Sequence, residues 1–138
     1  MTVVGETQLR RLLSGMRPVL APGIFVFVTL PDGRCPEELD PLMSFREAEG
    51  LTLILRASEA AERGLSGTFP CRLITLKIHS SLDAVGFLAA ITARLAARGI
   101  GVNPVAAFHH DHLFVPAHRA EEALEALLAL AAESAARA

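Results

Sequence analysis

The spacing of apolar residues changes several times along the chain, and each change predicts a new element. In ETQLRRLLSGM, residues 6–16, leucines and a methionine recur at i, i+3, i+4 and i+7, which predicts an amphipathic helix that ends near Gly15. Residues 23–30, GIFVFVTL, are β-branched or aromatic on both faces and stop at the turn sequence PDG. The chain therefore begins with a helix followed by a buried strand.

The stretch from residue 34 to residue 70 is less regular. Residues 34–43 are rich in proline and acids and predict a surface loop, whereas SFREAEGLTLIL, residues 44–55, predicts an extended segment with a bulge or bend at Gly50. Ser58 is a candidate cap for the short helix EAAERG, which Gly64 would close. LSGTFP, residues 65–70, has linker character, and we place the boundary between two halves there.

The second half has clearer periodicity. CRLITLKI, residues 71–78, predicts a strand with Ile74 and Leu76 on one face and Thr75 on the other. After a polar loop, GFLAAITARLAARG predicts a helix whose Gly99 and following Ile100 resemble a Schellman ending.

Two further strands and a helix complete the pattern. VNPVAAF (102–108) and LFVP (113–116) predict strands joined by a turn of four polar residues, 109–112. The last segment predicts a long helix with four residues facing the core: Leu124, Leu127, Leu128 and Ala131. The order from residue 71 is β-α-β-β-α.

Composition narrows the functional classes. The 138 residues are 51% hydrophobic with a formal net charge of −2, and no apolar run reaches the roughly 20 residues of a membrane-spanning helix. There is no basic stripe with aromatics, so neither nucleic acid nor membrane is an expected partner. The start, MTVVGETQLRR, lacks a secretion-signal pattern, and Cys35 and Cys71 are too few for a disulfide framework. These features predict a cytoplasmic protein.

FHHDHLFVP, residues 108–116, is the first stretch whose side chains could bind a metal or take part in catalysis. In an extended segment His110 and His112 share a face while Asp111 points away, which gives two metal ligands where a site needs three or four. Polar residues between two apolar strands are more often a turn. A small metal-dependent hydrolase using His110, Asp111 and His112 remains an alternative, but no nucleophile lies beside a base at motif spacing. We expect no catalytic residue, no metal and no cofactor.

The loop of residues 79–87, HSSLDAVGF, offers a different chemistry. The start of the following helix presents free N–H groups and a partial positive charge to a carboxylate, and Ser80 and Ser81 add hydroxyl donors. Gly86 would allow a ligand to approach the backbone closely. These residues equally suit a structural role as helix caps.

Residues 73–108, from LITLKIHSSLDAVGF to GVNPVAAF, resemble the first three elements of an ACT domain. FREAEGLTLIL and HHDHLFVP resemble small bacterial proteins made of paired ACT domains, whose relatives include aspartate kinase regulatory domains and cellular arginine sensors. The resemblance implies an α+β fold of tandem ferredoxin-like βαββαβ units, with antiparallel sheets and helices packed on one face. It divides the chain into an ACT-like half, 1–68, and an ACT domain, 69–138.

The same resemblance implies a non-catalytic regulatory module that binds a small molecule, typically an amino acid. The expected ligand-binding residues lie mostly in the loop: Ser80, Ser81, Leu82, Asp83, Val85, Gly86 and Phe87. For the ligand ammonium, the expected acceptors are Asn103 and the acidic pair Glu47 and Glu49, of which Glu49 is preferred, with Asp83 as the nearest alternative. A purely structural dimeric partner protein is a further alternative.

The pattern departs from a complete pair of units. No last strand follows the terminal helix, and the first half begins with a helix and lacks a first strand. Each half leaves a sheet edge that the other half or another subunit should cover, because unpaired edges invite association. We expect a homodimer or an intertwined pair of halves.

Overall fold

A computed structural model of the chain describes residues 3–137, with side chains from residue 8 onward. The ends of the two predicted halves, residues 1–2 and 138, lie outside this range. The elements are α1 (Val3–Gly15), β1 (Arg17–Leu20), β2 (Phe25–Leu30), β3 (Met43–Glu47), β4 (Gly50–Arg56), α2 (Ala57–Glu62), β5 (Thr68–Lys77), α3 (Phe87–Ala97), β6 (Asn103–Ala106), β7 (Asp111–Pro116) and α4 (Ala120–Ala136). None of the helices in residues 3–137 has the length and hydropathy of a bilayer-spanning segment.

The chain folds into two compact units. A central unit contains Pro22–Arg72, and a terminal unit contains residues 3–21 and 73–137. Strand β5 contributes to both: its first part pairs with β2, and its second part pairs with β1 and β7. The N-terminal helix and strand therefore belong to the same unit as the C-terminal half.

The strand expected after α4 comes from the beginning of the chain. The sheet of the terminal unit has the order β1-β5-β7-β6, and β1 runs antiparallel to β5 with Arg17 opposite Lys77 and Leu20 opposite Ile74. In a ferredoxin-like βαββαβ unit the last strand lies beside the first, and β1 takes that place here. The expected tandem ferredoxin-like fold is confirmed, and the missing strand is supplied by intertwining within one chain.

The helices of the terminal unit cover one face of its sheet. Four strand residues are fully buried and pack against α1, α3 and α4: Ile74 and Leu76 of β5, and Leu113 and Val115 of β7. The helices contribute mostly leucines and alanines to this core: Leu13, Leu95, Ala120, Ala123, Ala126 and Leu127. Alternation along β5 was therefore predicted correctly, because one face is fully buried.

The central unit is a ferredoxin-like sheet that lacks its first helix. Its strands have the order β3-β4-β2-β5, with antiparallel pairing throughout. The loop of residues 31–42 stands where the first helix would be, and its Leu39 packs on the same core as Val26, Leu53 and Ala60 of α2. The first strand, β2, is present, so the expectation that the first half lacks this strand is wrong.

Three local predictions in the central unit also need correction. Residues 44–55 are not one extended segment but the hairpin of β3 and β4, in which Glu47 lies opposite Gly50. Ser58 does not cap α2, which begins after Arg56 without a side-chain cap. Residues 68–70 of the predicted linker are the start of β5, which pairs with β2 through Thr68 and Cys71.

The β6–β7 turn lies two residues earlier than the polar residues suggested. Ala106 pairs with Asp111, and the Ala107 N–H donates to the His110 carbonyl over 3.0 Å, so the turn consists of residues 107–110. Asp111 and His112 are therefore strand residues. The polarity of Asp111 and His112 suggested turn residues, but in β7 both side chains have polar neighbours within the terminal unit.

Candidate functional site

Two hollows of the terminal unit flank the loop between β5 and α3, residues 79–86, which we call the α3 loop. The smaller has a volume of about 140 Å³ and is enclosed by the α3 loop, the first turn of α3 and the β6–β7 hairpin. The larger, about 410 Å³, lies between the α3 loop and α1. Ser81 and Ala84 line both hollows, so the α3 loop is their shared wall.

Asp111 is the charged residue of the smaller cavity. It begins β7 on the same face as the buried Leu113 and Val115, the face covered by helices. Burial raises the pKa of its carboxyl above the ordinary 3.8, while His112, a hydrogen bond donated by the Ser80 hydroxyl, and His110 oppose the rise. The cavity therefore contains a partly desolvated carboxylate.

The start of α3 forms another wall of this cavity through Phe87 and Leu88. No side chain caps the helix, and the residue before it, Gly86, has a left-handed backbone with φ +91°. The N–H groups of the first turn have no acceptor within the helix, so they remain available to an anion. Glycine is required at position 86 by this backbone conformation whether or not a ligand approaches it.

The polar residues predicted as caps have other partners. The Ser81 hydroxyl oxygen accepts the Asp83 N–H over 3.1 Å, and the Ser81 carbonyl accepts the Ala84 N–H over 2.9 Å. These two hydrogen bonds fold the middle of the α3 loop into a turn. Ser80 lines the small cavity from the loop and Asp111 lines it from the hairpin, and Ser80 is one of the groups that lower the pKa of the Asp111 carboxyl.

The other predicted loop residues divide between the cavity and its surroundings. Phe87, 2% exposed, and Leu82, 69% exposed, both line the small cavity, one at its base and one toward solvent. Asp83 lines the larger hollow. Val85 is 77% exposed and lines neither hollow.

The structure does not bring the two predicted ammonium acceptors to these hollows. Asn103 is exposed at the far end of β6, opposite Phe114, whereas the cavity lies at the Ala106 end. Glu49 belongs to the turn between β3 and β4 of the central unit, where its side chain is exposed. Glu47, which was expected to share a face with it, accepts a hydrogen bond from the Thr52 hydroxyl.

Five residues that line the small cavity were not expected to bind a ligand, and Asp111 is the charged one; the others are Ala84, Leu88, Ala106 and Ala107. The signal was present in the alternation of Asp111, Leu113 and Val115, which places all three on the buried face. Placing Asp111 in a turn concealed that alternation. The strand begins two residues earlier, and the carboxylate consequently faces the helices.

The histidines near Asp111 lie in a different direction. His112 Nδ1 is 3.0 Å from the Thr75 hydroxyl oxygen, on the sheet face opposite to the helices. His110 is a turn residue whose ring centroid is 6.3 Å from that of His112. Within residues 3–137, no three His, Cys, Asp or Glu side chains have the arrangement of a metal site. Asp111 and His112, which the hydrolase alternative would use together, thus lie on opposite faces of the sheet.

Comparison with known families decides the identity of the fold. Two ACT-domain family models match the chain, one over residues 4–72 and the other over residues 68–129. The chain belongs to the ACT-domain family. It is a paired ACT-domain protein, as the sequence resemblance implied. No curated protein matches it significantly.

Several solved structures are similar in fold to this chain. VC0802 from Vibrio cholerae, described as a protein of unknown function and possible transport protein, is 42% identical, with a TM-score of 0.82 over 92% of this chain and 98% of that one. Protein Atu0741 from Agrobacterium tumefaciens has a TM-score of 0.72 at 17% identity, covering 84% and 89%. The ligand-free regulatory subunit of aspartate kinase from Thermus thermophilus has a TM-score of 0.61 at 11% identity, covering 82% and 95%. The last two show likeness of fold alone.

Proposed function

We propose that this ACT-domain protein is a non-catalytic regulatory module that binds a free amino acid in the small cavity beside α3. The observation that carries the proposal is the cavity itself, which places the Asp111 carboxylate and the uncapped start of α3 around one space of about 140 Å³. An amino acid carries one charge for each of these groups. The volume lies below the ~300 Å³ at which pockets for drug-sized ligands begin, which favours a compact ligand.

The ligand carboxylate would lie at the first turn of α3. The unpaired N–H groups there point out of the helix, and the helix dipole adds a partial positive charge. Leu82, Phe87 and Leu88 provide apolar contacts for the rest of the molecule. This arrangement uses backbone groups, so it places little restriction on the ligand side chain.

The ligand ammonium would bind Asp111. Burial disfavours the ionised form of this carboxyl, which is why its pKa is raised. A cation in the cavity compensates that cost. Asp111 replaces Asn103 and Glu49 as the proposed ammonium acceptor, because only Asp111 lines the cavity.

A regulatory role follows from the position of the α3 loop. The loop contacts the ligand site on one side and the α1 hollow on the other, so its conformation can report occupancy to other surfaces. Leu82, Val85 and Phe108 are 69–77% exposed in the two segments that border the cavity, which favours a covering subunit. We therefore retain a cytoplasmic homodimer as part of the proposal.

Thermal unfolding with each common amino acid tests the proposal. At a hundredfold excess over Kd, a ligand of the folded state adds about 2.7 kcal/mol, which raises Tm by several degrees for a chain of this size. The shift should vanish in Asp111→Asn and persist in Glu125→Gln, which removes an exposed carboxylate of α4. If no amino acid shifts the Tm at millimolar concentration, or if Asp111→Asn binds like the unmodified protein, the proposal is wrong.

A further inference from the structure

The sheet of the terminal unit has basic side chains on the face that points away from the helices. Because Leu76 of β5 is buried on the helix side, Lys77 lies on the opposite face, and Arg17 of β1 is directly across from it. Both side chains are exposed. His112 of β7 is on this face too, and the ring centroid of His110 is 6.3 Å from that of His112. We call Arg17, Lys77, His110 and His112 the basic face.

The basic face has no acidic counterpart within its own sheet. Asp111 is the one acid among β1, β5, β6 and β7, and its carboxylate lies on the helix side. Among the side chains of residues 8–137, neither Arg17 nor Lys77 has an ion-pair or hydrogen-bond partner. Like charges directly across a pair of strands are destabilising, and an acidic partner would remove that repulsion.

His112 shows that these charges act on one another across the sheet. Burial is the largest cause of its lowered pKa, and the positive charges of His110 and Lys77 lower that pKa further, against the opposing influence of Asp111. Lys77 thus affects a side chain of the neighbouring strand. The basic residues therefore form one positively charged surface.

Exposed apolar side chains lie among these charges. Val19 of β1, 45% exposed, is two residues from Arg17 on the same face, opposite Thr75. Val105 of β6 is partly exposed and lies opposite His112. A free inorganic anion would leave both valines in water, whereas protein interfaces combine an apolar centre with a polar and charged rim. The composition of this face therefore favours a protein partner.

The distribution of charge along the chain favours a second copy as that partner. The central unit contains eight acids and five arginines, a formal charge of −3, whereas the rest of the chain has a formal charge of +1 and all five histidines. Opposite charges on two surfaces accelerate and orient their association. Each copy therefore offers a negative unit to the basic face of another.

Within the central unit, the loop between β2 and β3 contains four acids and one arginine. Glu37, Glu38 and Asp40 of this loop are exposed. The loop is held on its unit by the buried Leu39 and by the Asp40 N–H, which donates to Glu59 Oε2 over 3.0 Å. The carboxylates are therefore presented from an anchored segment, which we call the acidic loop.

We propose that the basic face binds the acidic loop of a second copy of this chain, and that the contact forms twice in a two-fold symmetric dimer. Two-fold dimers are the commonest closed assemblies, and in them each contact is repeated by symmetry. Arg17 and Lys77 gain acidic neighbours, and Val19 is covered. The inference rests on the homodimer of the proposed function but not on its ligand site, because no residue of the basic face lines the small cavity.

Sedimentation equilibrium of the full chain tests the contact. Raising the salt from about 0.05 M to about 0.5 M should raise the Kd of the dimer by about tenfold or more, because salt screens interactions between exposed charges. Arg17→Glu combined with Lys77→Glu, and separately Glu37→Lys combined with Glu38→Lys, should each give a monomer where the unmodified protein is a dimer. All four positions are exposed, and circular dichroism verifies that the variants are folded.

Mixing the two double variants restores opposite charges with their positions exchanged. An equimolar mixture should therefore dimerise, although each variant alone does not. Glu121→Lys combined with Glu125→Lys makes the same change of charge at exposed or half-exposed positions of α4 and is the matched control. This control should remain a dimer.

The possible results separate this contact from the ligand proposal. An unmodified protein that is monomeric at low salt, a dimer that persists in either double variant, or a mixture that stays monomeric would overturn the contact. Amino-acid-dependent changes in Tm are measured independently on the unmodified protein. Their absence would overturn the ligand proposal and leave a charge-dependent dimer in place.

Discussion

Asp111 and His112 are neighbours in β7, yet their side chains leave opposite faces of the sheet. Asp111 faces the cavity beneath α3, whereas His112 contacts the Thr75 hydroxyl on the other face. Burial is the largest influence on both, and it moves their pKa values in opposite directions: upward for the acid and downward for the base. Each residue therefore favours its neutral form, at a different end of the pH scale.

We expect the lowered pKa of His112 to make the folded protein less stable as the pH falls. Burial, His110 and Lys77 lower its pKa below 6.5 in the folded protein, and Asp111 opposes them. The unfolded chain then binds more protons than the folded one as the pH falls from above 6.5 through the lowered value, so the free energy of unfolding decreases over that window. Thermal unfolding between about pH 8 and pH 5 should show a shallower decrease in His112→Gln. The exposed His118, changed to Gln, should leave the slope unaltered; equal slopes in all three proteins would contradict the prediction.

We expect the ionised Asp111 carboxylate to destabilise the folded protein when no ligand is bound. Its raised pKa means that the folded protein binds more protons than the unfolded chain as the pH rises from 3.8 through the raised value, so stability is lost over that window. At neutral pH without ligand, Asp111→Asn should therefore melt at the same temperature as the unmodified protein or higher. Circular dichroism at neutral pH measures this. A clear decrease in Tm would show that Asp111 stabilises the hairpin instead.

The N-terminal helix should be as important to stability as the C-terminal one. Leu13 is 7% exposed and belongs to the core of the terminal unit. Leu13→Ala should reduce the free energy of unfolding by about 2–5 kcal/mol, as removal of a buried leucine side chain does. Leu128→Ala, at a 49% exposed position of α4, is the control with a much smaller loss. Urea unfolding measures the free energy of unfolding of both variants. A loss for Leu13→Ala as small as that for Leu128→Ala would contradict the placement of Leu13 in the core.

Gly50 should tolerate no side chain. Its φ is +150°, and a Cβ atom there would lie 2.8 Å from the Leu30 carbonyl oxygen. Gly50→Ala combines backbone strain with a clash, so we expect a lower Tm. At Gly101 no atom lies within 4 Å of an added Cβ and φ is not positive, so Ala should be neutral or stabilise by about 0.4–1 kcal/mol. Differential scanning calorimetry compares the two, and an unchanged Tm for Gly50→Ala would contradict the structure.

Much of the fold could be predicted because buried apolar residues recur along the sequence with the period of a strand or a helix. Ile74 and Leu76 alternate with Thr75, and α3 and α4 show helical spacing, so these elements were correct. Strand β1 was missed because it has only four residues and includes Pro18, which suits an edge strand but weakens the signal. Leu128 was expected in the core and is half exposed. Three of the six buried residues of α4 are alanines, which allow close packing.

The candidate site was only partly predictable. The α3 loop was identified from local chemistry, since a polar loop before a helix is visible in sequence. Asp111 could not be assigned to it, because its relation to Ser80 depends on the exact start of β7 and on pairing with Ala106. The α1 wall of the larger hollow was not predictable either, because α1 joins the terminal unit through the pairing of β1 with β5, which is long-range and has no local signal.

The placement of β1 beside β5 also constrains how the protein is made. During translation α1 and β1 leave the ribosome before their partners in β5, α3 and α4. The central unit can assemble while the remainder is still being synthesised, but Leu13 and Met16 wait without a core until α4 has been released. Nascent apolar segments in this situation are prone to wrong contacts, so the opening helix is the part of the chain for which chaperone protection has the most value.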